Sequence, residues 1–434
     1  MKNILCSLMI LSLAWESRGL AQTNTNAPSA LTLAEAQKVA LRNHPQIAAA
    51  NYRALAAQEV VKENRSGFFP TANLYGDAVG ANDEGTRIMA GGLNNPSVYD
   101  RAAGGLAVSQ LITDFGRTAN LTASSKFKAQ AESQNANATR EQVLLQVNVS
   151  YFSTLEAQAV LHVAQQTVDT RQLLLDQVSL LASNKLKSEL DVSFARVAVQ
   201  ESKLLLQKAQ NDADDAMTSL STAMGYRDPR PFQLAEAPPA ALTGTNDVSP
   251  LVETALAERP ELLSLRNEHD AALRLAKSER DSRLPTVQAI GMAGDAPTHD
   301  SHLPDNYAVG GIQLSLPLFA GGFYVARQHA AELQAQADNE LVRTLEDDIV
   351  RDVHIAWLNV NNALEQLHTT EELVQNAAEA YDLAEARYKI GSSSIVELSQ
   401  AQLSLTSAQI ANANARYNVL IQQANLDYQT GALR

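Results

Sequence analysis

The chain of 434 residues has a single cysteine, Cys6. It lies in an N-terminal stretch that reads as a secretory signal. Lys2 supplies the positive end, Ile4 to Ala14 the apolar run, and Gly19-Leu20-Ala21 a small-residue cleavage site before Gln22. Residues 1–21 are expected to be removed; the alternative, a membrane anchor, needs a longer apolar run. Cys6 is also too near the start for lipidation behind a full signal. The mature chain then has no disulfide and no cysteine-based metal site, so it is built for export without an oxidative staple. It also lacks any run of 18 apolar residues. That excludes a spanning helix but not a barrel, whose strands need only about 9–11 alternating residues. There is no basic run and the net charge is −14, so nucleic acid is not an expected partner. No phosphate-cradling glycine loop, HExxH or nucleophile–base pair appears. No enzyme and no cofactor are expected, and energy must come from a partner.

What the chain does contain, it contains twice. Ala40, Leu41, Pro45, Lys62, Pro70, Thr71 and Gly76 return 215 positions later as Ala255, Leu256, Pro260, Lys277, Pro285, Thr286 and Gly291. Ser109, Gly116, Ala129-Gln130-Ala131, Val147 and Gly225 return at a spacing of 206 as Ser315, Gly322, Ala335-Gln336-Ala337, Val353 and Gly431. The spacing changes in a Gly/Asn/Asp-rich stretch, where loops tolerate length change. Both halves must build the same unit. The expected layout is a first repeat over 22–225, a proline-rich linker over 226–250, and a second repeat over 251–434.

Each repeat reads as helix, strand, strand, long helix, turn, helix. Thr32 to Glu35 is a capping box opening a helix that runs to about Arg65, stopped by Phe68-Phe69-Pro70. Thr71, Asn73, Tyr75 and Asp77 then alternate with Ala72, Leu74, Gly76 and Ala78. A loop over about Gly80 to Asp100 follows. Gly104, Leu106 and Val108 next alternate with Gly105, Ala107 and Ser109, and Ile312, Leu314 and Leu316 with Gly311, Gln313 and Ser315. These are period-two strands with one apolar face. From Gly116, and again from Gly322, the period becomes helical for about 67 residues, roughly 100 Å at 1.5 Å per residue. Val353, Ala356, Val360, Ala363, Leu367, Thr370, Val374, Ala377, Tyr381, Ala384 and Tyr388 form a sustained heptad. Leu403, Thr406, Ile410, Ala413, Tyr417, Leu420 and Ala424 continue after Gly391. The many small seam residues suit a sheet-like array of helices. Ser249-Pro250 is expected to cap the helix after the linker. Four strands cannot close a barrel, and an open edge cannot sit in lipid, so several chains must share one if these strands enter a membrane.

The same residues carry a resemblance. The pieces are Leu31 to Gln37; Asn43-His44-Pro45 with Glu258-Arg259-Pro260; Phe68-Phe69-Pro70 with Arg283-Leu284-Pro285; Ser109 to Gly116 with Leu314 to Gly322; and Ala386 to Gly391 ahead of Ile395-Val396-Glu397-Leu398. In this order, the mature chain resembles the TolC family of outer-membrane efflux proteins, the outer membrane factors. The resemblance implies a mainly α chain with a membrane β portion. Four strands per chain would join a trimeric 12-stranded β-barrel standing on a long α-helical periplasmic barrel. It implies a passive exit duct for efflux or type I secretion in the outer membrane, a homotrimer in outer-membrane lipid. It also implies a periplasmic adaptor and an inner-membrane transporter as partners. The competing reading is a periplasmic coiled-coil scaffold or adaptor without a pore.

By motif position the resemblance implies a pore entrance at Asp191 and Glu397, with Gln400 where the family has a second acid, and a gating aromatic at Tyr388. Lys389, Ile390, Gly391 and Ser392 match the adaptor-contact turn, and Lys185 stands at the glycine position of the first copy. Ser393 replaces the arginine that would lock to Asp191. Two simpler readings stay open. Ser188 to Asp191 and Ser394 to Glu397 are also capping boxes, and Tyr388 lies on the heptad seam. His299 and His302 are spaced as HxxH in a loop, either solvated or part of a metal site, which would need three or four convergent ligands. Phe68, Phe69, Tyr75, Tyr99, Tyr307 and Phe319 are expected near strand ends, as interfacial belts or as ordinary packing.

Overall fold

The computed structural model describes residues 30–79, 101–236, 247–298 and 304–433. The signal segment, the loop over 80–100, Tyr99, His299 and His302 lie outside them. In chain order the elements are α1 (Leu33–Asn43), α2 (Pro45–Ser66), β1 (Thr71–Val79), β2 (Arg101–Thr113), α3 (Arg117–Ser183) and α4 (Glu189–Ala223). The second half supplies α5 (Ser249–Glu258), α6 (Pro260–Asp281), β3 (Thr286–Thr298), β4 (Asn306–Ser315), α7 (Phe323–Lys389) and α8 (Ile395–Gln429). The spacings of 215 and 206 carry α2 onto α6, α3 onto α7 and α4 onto α8, residue for residue.

The helices form a single layer of four staves. α3 is flanked on one side by α2 above and α4 below. On its other side lie α6 above and α8 below, and α7 packs beyond them. The expected single first helix is in fact two. His44 takes extended backbone (ψ 122°) ahead of Pro45, because the proline ring disfavours helical geometry in the preceding residue. Arg259-Pro260 breaks the second copy in the same way. These corners stop the returning helices. α4 ends at Gly225 (φ 83°), where a Cβ would sit 2.9 Å from the Asn43 backbone. α8 ends at Gly431 (φ 72°) against Arg259. Around the first corner Ala36, Ala40, Ile47, Val147, Tyr151, Leu220 and Met224 form the largest core. The linker straps it: Leu31 and Leu234 form a parallel bridge, and the Tyr151 hydroxyl lies 2.9 and 2.6 Å from the carbonyls of Leu31 and Ala235.

The heptad of α7 is buried or half-buried at every expected position, from Val353 to Tyr388. In α8 one seam residue differs: Leu403 is exposed and Gln402 is buried in its stead. The cap of α5 also differs. Ser249 is its first residue, and the Asp247 carboxylate accepts from the Ser249 N–H and hydroxyl at 2.9 and 2.8 Å. The Thr32–Glu35 capping box forms as read.

The four strands make one antiparallel sheet in the order β1-β2-β3-β4. Its register separates two faces. Leu74 opposes Leu106, Leu106 opposes Ala293, and Ala293 opposes Ala308; Ile312 and Leu314 lie on that same apolar side. Thr71, Ser109, Gln288, Gln313 and Ser315 lie on the other, the more polar face, together with Ile290, Met292 and Val309. There Thr71 and Ser109 share a hydrogen bond of 2.7 Å, and Gln288 donates to Gln313 at 3.0 Å. The apolar face is uncovered: Leu74 is 84% and Ile312 72% exposed. Where strands meet helices, Phe69, Phe115 and Phe319 are exposed. Tyr75 sits in the middle of β1 rather than at a strand end, whereas Tyr307, the second residue of β4, lies near a strand end as expected; both are on this second face.

Candidate functional site

Every strand joins a helix at one end of the staves, so the two helix–helix turns mark the far end. Both turns close the same way. The N–H of Leu186 donates to the Leu181 carbonyl at 2.9 Å, and that of Ser392 to Arg387 at 2.8 Å. The residue before each donor takes left-handed backbone: Lys185 (φ 60°) and Gly391 (φ 78°). This is a Schellman closure, which glycine makes without steric cost and lysine does not. The turns expose Leu186, Ile390, Gly391 and Ser392. Lys389 is tied to Glu385 at 2.9 Å.

Behind the turns, Val178 and Val192 of the first hairpin pack with Ala384, Tyr388, Ile395 and Leu398 of the second. Tyr388 is buried, and its hydroxyl has no hydrogen-bond partner among the described residues. Burial first, and the Asp191 charge second, push that hydroxyl above the usual tyrosine value. The Lys187 ammonium lies 4.1 Å from the ring centroid. A cation over an aromatic face is attracted by the ring quadrupole, here across the two hairpins. Sequence spacing gave no sign of it, because Lys187 and Tyr388 sit in different copies.

The two acids differ. Asp191 completes a full capping box: its N–H donates to Ser188 Oγ at 3.2 Å, and its carboxylate accepts from the Ser188 N–H at 3.1 Å. The Glu397 N–H also donates to its N-cap, Ser394, at 3.3 Å, but its carboxylate turns to Arg387 at 3.4 Å. The capping residue pattern is thus present twice, while the reciprocal bond from the acid is described only at Asp191. Gln400 is exposed, and the Ser393 hydroxyl is buried without a hydrogen-bond partner among the described residues. About three turns above the tip, buried Arg171 donates to the Ala198 carbonyl at 2.7 Å and lies 3.5 Å from Glu201. Among the described residues no group of three or more His, Cys, Asp or Glu could hold a metal ion. No described helix is long and apolar enough to cross a membrane.

The sequence matches the family described as outer membrane efflux protein over residues 37–226 and 251–432. It is 26% identical over 398 residues to outer membrane protein TolC of Escherichia coli K12, covering 87% of this chain and 78% of that protein. To TolC of Vibrio cholerae it is 26% identical over 427 residues, covering 95% and 93%. Its fold matches the Campylobacter jejuni CmeC outer membrane channel with a TM-score of 0.77 at 16% identity, covering 98% of this chain and 94% of that one. The duplicated staves, the two-faced sheet and a family match across both halves lead to one conclusion: the chain belongs to the outer membrane efflux protein family.

Proposed function

We propose that three copies of the chain assemble a passive exit duct for an efflux or type I secretion system. Twelve strands line the outer membrane, twelve staves enclose the periplasmic conduit, and an inner-membrane pump drives export through an adaptor docked at the tip. The sheet carries this reading. It has one largely apolar face and one that mixes polar side chains with Ile290, Met292 and Val309, and among the described residues neither β1 nor β4 has an outer partner. Lipid tolerates no open edge. Because β1 and β4 run in opposite directions, β4 of one copy continues antiparallel into β1 of the next, and a ring of copies closes without edges. The number three comes from the family. The test is membrane extraction with cross-linking, followed by conductance in planar bilayers. Detergent-dependent release, a trimer cross-link and conductance are expected. A soluble periplasmic monomer overturns the duct and leaves the poreless scaffold.

The same reading gives Asp191, Glu397 and Gln400 to the entrance, Tyr388 to its closure, and Lys389 to Ser392 to the adaptor. It is supported by the exposure of the turn and by the Glu397 carboxylate facing Arg387 rather than its own N-cap. With Gln400 neutral, cation block at the entrance rests on Asp191 and Glu397. Glu397→Gln combined with Asp191→Asn should weaken block of the conductance by multivalent cations added on the helical side. Unchanged block leaves helix capping as the only role of these acids.

A further inference from the structure

One row of the sheet reads Tyr75, Gly105, Gly294, Tyr307. Tyr75 opposes Gly105, Gly105 opposes Gly294, and Gly294 opposes Tyr307, all on the polar face. The duplication did not produce this row. The copy of Tyr75 is Ile290, and the first-half counterpart of Tyr307 is Arg101. The Tyr307 side chain lies over the two glycines. A Cβ on Gly294 would stand 2.5 Å from the Tyr307 hydroxyl oxygen and 2.6 Å from Cζ, and one on Gly105 would overlap the same hydroxyl. The volume left by two missing side chains is the volume the phenol occupies. An aromatic laid across a glycine in a sheet regains packing and shields the backbone there.

We propose that the Gly105–Gly294 trough holds Tyr307 flat on the barrel wall and so sets the free bore of the lumen at this row. The proposal rests on the duct reading above. Barrel interiors of about eight strands are filled by side chains, and those of 16–18 strands leave an aqueous channel. Twelve strands lie between these, so whether three tyrosines lie flat or project decides what passes. Tyr307 is a positioning residue for the path. The glycines are its seat, and a large or rigid cargo is what the seat admits.

The two seats are not equivalent. A Cβ on Gly294 would also collide with the Gly104 carbonyl, so glycine there is demanded by the backbone itself. On Gly105 the closest obstacle is the phenol, with the Ala293 carbonyl next at 2.8 Å, so Gly105→Ala displaces the ring first.

Asn73 provides the readout. It lies on the same face, two residues nearer the helices than Tyr75. A reagent entering from the strand tips must pass the row to reach it. In intact cells carrying full-length Asn73→Cys protein, a small methanethiosulfonate and a bulky one, too large for ordinary porins, are compared by labelling rate. Because inward side chains set the bore of a barrel this size, Gly105→Ala should cut the bulky-to-small ratio roughly fivefold. Tyr307→Ala in that background should restore it. Tyr307→Ala alone should leave the ratio unchanged, since a flat ring obstructs nothing; this arm holds even where Gly105→Ala fails to assemble. An unchanged ratio in assembled Gly105→Ala overturns the proposal and leaves the duct intact. So does a ratio that rises with Tyr307→Ala alone. Failure of even the small reagent to label Asn73→Cys overturns the proposal together with the duct reading.

Discussion

Lys185 and Gly391 occupy duplicated positions and the same left-handed backbone, yet only one is glycine. A Cβ in that conformation costs roughly 1–2 kcal/mol. Lys185→Gly should therefore raise the thermal midpoint of the detergent-solubilised protein, and Gly391→Ala should lower it, each by an increment of about 1 kcal/mol. Tyr428 gives a prediction in pH. Burial first, and the Glu261 carboxylate beside it, push its hydroxyl up to about 12. It donates to Glu261 at 3.1 Å. In the unfolded chain the same group ionises near 10. Its contribution to stability is whole below pH 10 and is lost as pH rises from there through about 12. A thermal-midpoint profile across that window should fall for the native chain and flatten for Tyr428→Phe. Some residues announced these roles. Gly225 and Gly431, a repeated pair, and Gly391, in the turn, all take left-handed backbone at helix ends. Others did not. Gln402 takes the seam place read for Leu403, because tertiary packing and not period decides which of two neighbours turns inward.

The outermost staves are α4 with α2 on one side and α7 on the other, and both carry uncovered apolar stripes. On α4, Leu190, Phe194, Val197 and Leu204 recur at helical spacing and are 43–68% exposed. On α7, Leu358, Leu373 and Leu383 face outward. On the proposed trimeric duct, stripes of this kind are expected to meet another copy. Val197→Asp should abolish the trimer cross-link while leaving far-UV helix content unchanged; a normal trimer would remove α4 from the seam. At this scale most of the fold was legible. Alternation assigned both faces of β1, β2 and β4, because period two is a property of the backbone itself. The pairing of β2 with β3 was not legible. It joins the two halves across more than 170 residues, and no local pattern records it. The corners at His44 and Arg259 were signalled by Pro45 and Pro260. The apolar pattern by itself runs on past both prolines, so it is the proline ring and not the period that marks each corner.

For the whole molecule, the duplication explains why two continuous helices alternate with two interrupted ones. Each repeat supplies one unbroken rod and one stave in two pieces, and the piece boundaries fall at equivalent places, Gly225 with Asn43 and Gly431 with Arg259. The candidate entrance was legible by position only. That Asp191 completes a capping box while Glu397 faces Arg387, and that Lys187 covers Tyr388, depends on how two hairpins lie together, which spacing cannot encode. The unshared borders of the sheet carry a genetic corollary. A subunit able to join a neighbour through one border but not the other would enter the ring and prevent its completion. Expressed beside the normal product, such a defective copy would behave as a poison, silencing far more rings than its own abundance could account for.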